Sequence, residues 1–178
     1  MRDVLAFALL SLALLGATPA ERLDTRRCIE EQRSPPPPKA SKASSCPRDP
    51  EAHAPLARGK VSFQSARGAP TVSVEIARAP HEIMRGLMYR TSLGKNDGML
   101  FSYANERVRE FWMKNTCIPL DMLFLAKDGT VVGVLEQVPV LNEVPRSVGC
   151  AAAYVLEVNA GWSREHGVIP GMKASFRW

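Results

Sequence analysis

The sequence predicts an α+β domain that is mostly β, a single compact barrel-like or two-layer sheet structure of about seven strands with one or two short helices. Three observations support this fold class. Several segments after residue 58 alternate apolar and polar side chains, as half-buried strands do. Turn signals rich in Gly, Pro and Asp separate these segments. Only two short stretches carry helical signals, so helices are expected to contribute little to the core.

The domain is predicted to open with two strands and a helix. Residues 60–65 and 71–77 each place apolar side chains on one face, and the sequence RGAP between them predicts a turn. Pro80 then opens a short helix, since proline is well tolerated in the first helical turn. Four apolar residues recur at helical spacing up to the loop at 94–98, and they are Ile83, Met84, Leu87 and Met88.

Turn signals bound the remaining strands, which are predicted at 98–103, 121–126, 130–138, 152–159 and 172–178. The sequence KDG between the second and third of these segments is a strong hairpin signal. Charged residues at 105–110 predict a turn, and residues 139–149 predict a loop. A short helical turn is predicted at 160–166, where Gly167 ends it.

Two segments precede the folded domain, which is predicted to span residues 58–178. Residues 1–20 combine Arg2, an apolar run and small residues ending in TPA, the layout of a signal peptide cleaved after Ala20. An uncleaved N-terminal anchor is the alternative. The apolar run of about a dozen residues is shorter than the ~20 that span a bilayer. The chain is therefore predicted to be exported to the periplasm or the extracellular space, without a membrane span after cleavage.

Residues 21–57 contain four consecutive prolines at 35–38 and almost no aliphatic side chains. Such a composition cannot bury enough apolar surface to offset its ordering entropy, which predicts a disordered proline-rich linker. The formal net charge of the chain is +5, but Lys and Arg are interspersed with acidic residues throughout. A nucleic-acid partner, which would require a clustered basic face, is not predicted.

Export changes the interpretation of the four cysteines, because an even number in an oxidising compartment suggests two disulfides. Cys28 and Cys46 lie in the linker, while Cys117 and Cys150 lie in the domain. Four cysteines permit three pairings, of which pairing within each of these two pairs is the most parsimonious. A zinc site is not favoured, since the sequence has no CxxC and its histidines lack ligand spacing.

The segment FWMKNTCIPLD at 111–121 contains the main candidate site. Polar side chains between apolar neighbours must find partners or face water, because a buried unpaired group costs about 1–3 kcal/mol. The segment is therefore either a site or a turn whose polar groups are satisfied internally.

Six ordered motifs in the domain are GLMYR at 86–90, GMLF at 98–101, FWMKNTCIPLDMLF at 111–124, DGTVVG at 128–133, YVLEVNAG at 154–161 and PGM at 170–172. With these motifs the sequence resembles the domain-of-unknown-function family 192 over residues 58–178. The resemblance implies one β-rich domain, in a bacterial or archaeal family that is often exported, and it implies no reaction, substrate or cofactor. The positions characteristic of the family are Arg90, Lys114, Asn115, Thr116, Asp121 and Glu157. Cys117 is expected to vary within the family, which favours an accessory disulfide there.

The first functional hypothesis is a non-enzymatic module that binds a small anionic or polar ligand. Its candidate ligand-binding residues are Arg90, Trp112, Lys114, Asn115, Thr116, Asp121 and Glu157. The structural alternative is that Asp121 pairs with Arg90 or Lys114, while Asn115 and Thr116 stabilise a tight turn. An open pocket above Trp112 would favour ligand binding.

Three other classes of function stay open. Met84, Met88 and Met113 suggest a copper(I) site, because thioethers select soft metals, although such methionines are more often core residues. An enzyme is less favoured, since the sequence has no recognisable nucleophile and base, and no other cofactor is implied. Asp121 with Glu157 is the carboxylate pair considered for glycoside hydrolysis. A cell-envelope protein partner would instead bind the β edges or the aromatic face, with a filled core at Trp112.

Overall fold

Seven strands and two short helices make up the domain in the computed structural model, which describes residues 37–51 and 54–178. The elements are β1 (Ala57–Ser62), β2 (Thr71–Ala77), α1 (Pro80–Arg85), β3 (Asp97–Val108), β4 (Leu120–Leu125), β5 (Val131–Val138), β6 (Ala151–Asn159), α2 (Trp162–His166) and β7 (Ser175–Arg177). The predicted signal peptide and residues 21–36 of the predicted linker, including Cys28, lie outside the described residues. Within the described part of the chain, no helix is long and apolar enough to cross a membrane.

The strands form one sheet in the order β5-β4-β6-β3-β2-β1-β7. Every neighbouring pair is antiparallel except β2 and β3, which are parallel and are therefore joined by a crossover that contains α1. The sheet is curled, as shown by a C-terminal stretch that contacts both of its ends. Lys173 bridges Thr130 at the β4–β5 hairpin, while β7 pairs with β1. The predicted mostly β, α+β fold is confirmed.

Two apolar cores lie on opposite faces of this sheet. The inner core takes residues from six strands and fills the curl, with Phe63 and Trp162 in contact at 5.8 Å between ring centroids. The outer core contains Met99, Phe101 and Phe124 on the other face. Alternation along β3 explains the division, because Leu100 points into the inner core while its two neighbours point into the outer one. The outer core is the one that borders the candidate site.

Predicted element bounds differ from the observed ones in several places. The first strand is observed at Ala57–Ser62 rather than at 60–65, and the last at Ser175–Arg177 rather than at 172–178. Two further differences lie near the outer core. Residues 105–110 do not form a turn throughout, because β3 continues to Val108 and pairs with β6 again after an irregularity between Ser102 and Arg107. The first helix ends at Arg85, before Leu87 and Met88. Gly86 ends it with a φ of 50°, and a β-carbon there would lie 3.0 Å from the Phe101 ring. Glycine is required at this position both by the dihedral angle and by the close approach to Phe101.

Residues 37–51, here called the strap, carry no helix or strand but contact the domain at several points. The backbone amide of Ala40 donates to Gln137 Oε1 at 2.9 Å, and that of Ala43 donates to the carbonyl of Cys117 at 3.0 Å. Cys46 is disulfide-bonded to Cys117, with a Cα–Cα distance of 5.6 Å. This part of the predicted linker is therefore tied to the domain.

The observed disulfide corrects the predicted cysteine pairing. Cys117 bonds Cys46 rather than Cys150, and Cys46 is consequently unable to pair with Cys28. The parsimonious pairing failed because it assumed that the linker stays away from the domain, whereas the strap runs back along the segment that contains Cys117. Cys150 is also disulfide-bonded.

Candidate functional site

A cavity of about 250 Å³ lies on the outer face of the sheet, between the end of α1 and the segment that follows β3. Four parts of the fold contribute its walls, one of them being Pro145 of the loop between β5 and β6. The end of α1 and the following turn supply Ile83, Leu87 and Met88, the sheet supplies Phe101, Tyr103 and Glu157, and the segment at 110–116 supplies Glu110, Phe111, Trp112 and Thr116. The cavity is thus mostly apolar and aromatic with a few polar groups, the usual composition of a small-molecule site.

Glu157 is the polar group at the bottom of this cavity. It lies on β6 between Met99 of β3 and Met122 of β4, which are its cross-strand neighbours. Only 4% of the residue is exposed, and its carboxyl group makes no hydrogen bond or ion pair with any described residue. Burial raises the pKa of Glu157 to about 8. At neutral pH the carboxyl group is therefore mostly protonated when the cavity is empty.

Tyr103 stands beside Glu157 in the cavity wall. Burial raises the pKa of the Tyr103 hydroxyl to about 12, and the negative charge of Glu157 adds to this effect. The guanidinium of Arg109 stacks on the tyrosine ring at 3.8 Å from its centroid. Arg109 is itself buried and is held by hydrogen bonds from Nε to the carbonyl of Ala152 at 3.2 Å and from Nη2 to Asn105 Oδ1 at 2.7 Å. The tyrosine ring is thus fixed in place by a charged neighbour.

Phe111 and Trp112 form the aromatic wall opposite α1. Phe111 packs edge-to-face on Phe101 at 5.0 Å and on Phe124 at 5.9 Å, which anchors the wall in the outer core. Trp112 is 38% exposed, and the ammonium group of Lys114 lies 5.2 Å from its ring centroid. The wall is therefore rigid at Phe111 and open to solvent at Trp112.

Comparison with known protein families identifies the domain. The family model DUF192, described as "Uncharacterized ACR", matches residues 62–176. The chain belongs to the DUF192 family. No curated protein matches it significantly.

Two solved structures are similar to this DUF192 domain. One is a proposed transcription regulator from Sinorhizobium meliloti 1021, with a TM-score of 0.66 and 36% identity, aligned over 70% of this chain and 98% of that chain. The other is a protein of unknown function from Novosphingobium aromaticivorans DSM 12444, with a TM-score of 0.66 and 30% identity, aligned over 79% of this chain and 99% of that chain. Both similarities agree with the family assignment.

Three of the seven predicted ligand-binding residues come together in the cavity of this DUF192 domain, namely Trp112, Thr116 and Glu157. Thr116 is buried, and its hydroxyl donates to the carbonyl of Lys114 at 3.2 Å. The other four residues do not line the cavity.

The two predicted cations have acidic partners outside the cavity. Arg90 forms a bidentate ion pair with Glu75, with Nη1–Oε1 and Nη2–Oε2 distances of 2.9 and 2.6 Å. This hydrogen bonding lowers the pKa of Glu75 and raises that of Arg90. Lys114 lies 3.8 Å from Glu143 in an exposed ion pair. Neither cation faces the space above Glu157.

Asn115 ties its segment to the turn after α1. Its carbonyl accepts from the Tyr89 amide at 2.8 Å, and its side-chain amide donates to the Tyr89 hydroxyl at 2.9 Å. Both residues have left-handed backbones, with φ of 51° at Asn115 and 65° at Tyr89. Asn115 therefore has the turn-stabilising role of the structural alternative, and it holds two walls of the cavity together.

Asp121 is fully buried, but it neither lines the cavity nor pairs with Arg90 or Lys114. Its Oδ1 accepts from the amides of Gln137 at 2.9 Å and Gly161 at 3.0 Å. Its Oδ2 accepts from the amide and the hydroxyl of Ser163. The carboxylate thus satisfies the orphan donors at the start of α2, as expected near a helix N-terminus. Asp121 and Glu157 consequently do not share the cavity as a carboxylate pair.

The three methionines of the copper hypothesis have different environments. Met84 is 62% exposed and lines the cavity together with Met88. Met113 is fully buried in the outer core and does not line the cavity. Burial of Met113 among apolar side chains is typical of a core residue.

The sequence analysis did not select Phe101, Tyr103, Glu110 or Phe111 as site residues, although all four line the cavity. Phe101 and Tyr103 carry a recognisable signal, because they alternate with Leu100 along β3 and therefore share a face of the sheet. Glu110 and Phe111 have no such signal in the sequence, because they lie in the irregular segment after β3, whose course no periodicity predicts.

Proposed function

We propose that this DUF192 chain is an exported, non-enzymatic domain that binds a small polar ligand in the outer-face cavity through Glu157. The observation that carries the proposal is a carboxyl group that is 4% exposed, has no partner among the described residues and lies in the wall of an open cavity. Burying an unpaired acid is costly, so it is retained mainly where a ligand or a reaction uses it.

The open space above Trp112 favours ligand binding over the protein-interaction hypothesis. That hypothesis expects a filled core at Trp112, whereas the indole borders a cavity of about 250 Å³. This volume corresponds to that of about eight water molecules in the liquid, which suits a metabolite rather than a peptide. The anionic ligand considered from the sequence loses support, because Lys114 and Arg90 bind acidic side chains elsewhere.

Export is supported by the signal-peptide pattern at residues 1–20 and by the Cys46–Cys117 disulfide. Disulfides form and persist in oxidising compartments such as the periplasm. An envelope location would bring the domain into contact with small molecules that enter from outside the cell.

The test is NMR observation of the Trp112 indole signal in the full chain during a screen of small polar metabolites. A ligand should shift this signal and raise the thermal midpoint, because it binds only the native state. Glu157→Gln should weaken the response, while Glu165→Gln, an exposed acid outside the cavity, should leave it unchanged. A response that is identical in both variants would contradict a role for Glu157.

A further inference from the structure

We infer that the ligand of the cavity is a small organic cation, such as a quaternary or protonated amine. This inference rests on the proposed function, and it assigns the ligand class from the charges and rings around the cavity.

The ionisable groups that line the cavity favour a cation. Two of them are acids, Glu157 at the bottom and Glu110 at the exposed side. The only basic residue in the described lining is Arg85, whose guanidinium pairs with Asp49 of the strap and lies 5.1 Å from the Tyr89 ring centroid. The charge of Arg85 is thus largely neutralised, whereas Glu110 and Glu157 have no ion-pair partner among the described residues. An anion would meet two acids in this space.

The aromatic side chains give the same preference. Trp112, Tyr103, Phe101 and Phe111 all line the cavity, and a cation near a ring face is attracted by the ring quadrupole. Two of these rings already attract cations of the protein, since Lys114 lies near Trp112 and Arg109 lies on Tyr103. Each ring has a second face, and Trp112 is the ring that is open to solvent. A cation between Trp112 and Glu157 would gain both contacts.

A cation would also resolve the unpaired state of Glu157. An uncharged ligand would leave the acid protonated, whereas a cation would pair with the ionised form in a region of low dielectric. Among the described residues, Glu157 interacts with Tyr103 and has Met99 and Met122 as cross-strand neighbours, none of which supplies a positive charge. Binding of a permanent cation should therefore release a proton and tighten as the pH rises from 7 to 9.

The experiment compares choline with 3,3-dimethyl-1-butanol, in which carbon replaces the quaternary nitrogen, by NMR titration of the full chain at pH 7 and pH 9. Choline should bind about tenfold more tightly than its neutral analogue, and Glu157→Gln should remove most of this preference. Trp112→Leu should also weaken choline binding, whereas Trp178→Leu, an exposed tryptophan outside the cavity, should not.

The outcomes separate the two proposals. Equal or tighter binding of the neutral alcohol, lost in Glu157→Gln, would overturn the cation assignment and support the cavity as a ligand site. If a different uncharged or anionic metabolite shifts the Trp112 signal while choline does not, the cation assignment again fails alone. If neither choline nor any compound of the metabolite screen shifts the signal, both proposals are overturned.

Discussion

The carboxylate of Asp121 on β4 accepts hydrogen bonds from both the backbone amide and the hydroxyl of Ser163, 42 residues later in the chain. Ser163 lies in the first turn of α2, so this pair joins the sheet to the helix that closes one end of the inner core. Asp121 is the one acid of the segment at 111–121 and is fully buried, and its partners are backbone amides and the Ser163 hydroxyl.

Asp121→Ala is expected to lower the free energy of unfolding by at least about 3 kcal/mol, because it leaves several buried donors without an acceptor. If Asp121 paired with Arg90 or Lys114, as the sequence allowed, the variant would leave a cation unpaired, whereas in the structure it leaves amide and hydroxyl donors unpaired. Urea unfolding of the wild type and the variant measures the change. Asp128→Ala, at an exposed acid in the β4–β5 turn, is the control and should cost about 1 kcal/mol or less. Equal losses in the two variants would contradict the anchoring role of Asp121.

The Cys46–Cys117 disulfide closes a loop of 71 residues in sequence separation. Loop closure of this length corresponds to about 4 kcal/mol of stabilisation. Cys46→Ala should therefore reduce stability by several kcal/mol while it leaves the buried Cys117 side chain in place. Peptide mapping of the unreduced chain should recover a fragment that contains both cysteines. A fragment that joins Cys117 to Cys150 would contradict the structure.

Some strands were predictable because they bury mainly one face and so leave a period of two in the sequence, whereas β4 is buried along its whole length and was predictable from the turn signals that bound it. Residues 71–77, for example, are predicted and observed as β2 with the same bounds. The end of β3 was not predictable in this way. Residues Arg107 and Val108 pair with β6 only after an irregularity, and their exposed side chains resemble those of a turn.

The cavity was only partly predictable. Glu157 was selected through the resemblance to the family, and its place as an acid in a mostly apolar strand is a further signal in the sequence. Lys114 and Asp121 lie in the same short segment as Trp112, yet the chain turns between them and directs them to different partners. Those partners, Glu143 and Ser163, are distant in sequence, and no local pattern reveals such contacts. The Cys46–Cys117 disulfide was not predicted for the same reason, because its two cysteines are 71 residues apart in the sequence.

The Arg90–Glu75 contact is expected to serve stability rather than ligand binding. Arg90→Lys replaces two parallel hydrogen bonds by one and should lower the free energy of unfolding by about 1 kcal/mol. Arg164→Lys, at a more exposed arginine that contacts Glu136, is the matched control and should cost less than about 0.5 kcal/mol. Chemical unfolding measures both values, and NMR titration measures ligand affinity. If Arg90→Lys lost ligand affinity while its stability stayed unchanged, the stabilising role would be contradicted and Arg90 would be a ligand-binding residue.

Glu157 should make the stability of the empty protein depend on pH. Its pKa rises from an ordinary value of 4.5 in the unfolded chain to about 8 in the folded one, because burial disfavours the charged form. Between these two values the folded protein retains a proton that the unfolded chain has released. The free energy of unfolding should therefore fall by up to about 1.4 kcal/mol per pH unit as the pH rises from 5 to 8.

Glu157→Gln tests this prediction, since the amide imitates the protonated acid and does not titrate. The variant should gain stability relative to the wild type as the pH rises from 5 to 8, and the difference should level off above about pH 8 because both states of the wild type are then ionised. Glu165→Gln is the control, because the Lys95 contact lowers the pKa of Glu165 and so moves its titration below this range. Guanidinium unfolding at a series of pH values gives the curves. Parallel curves for the wild type and Glu157→Gln would show that Glu157 titrates at an ordinary pKa, and the buried acid would then lose its special role in the cavity.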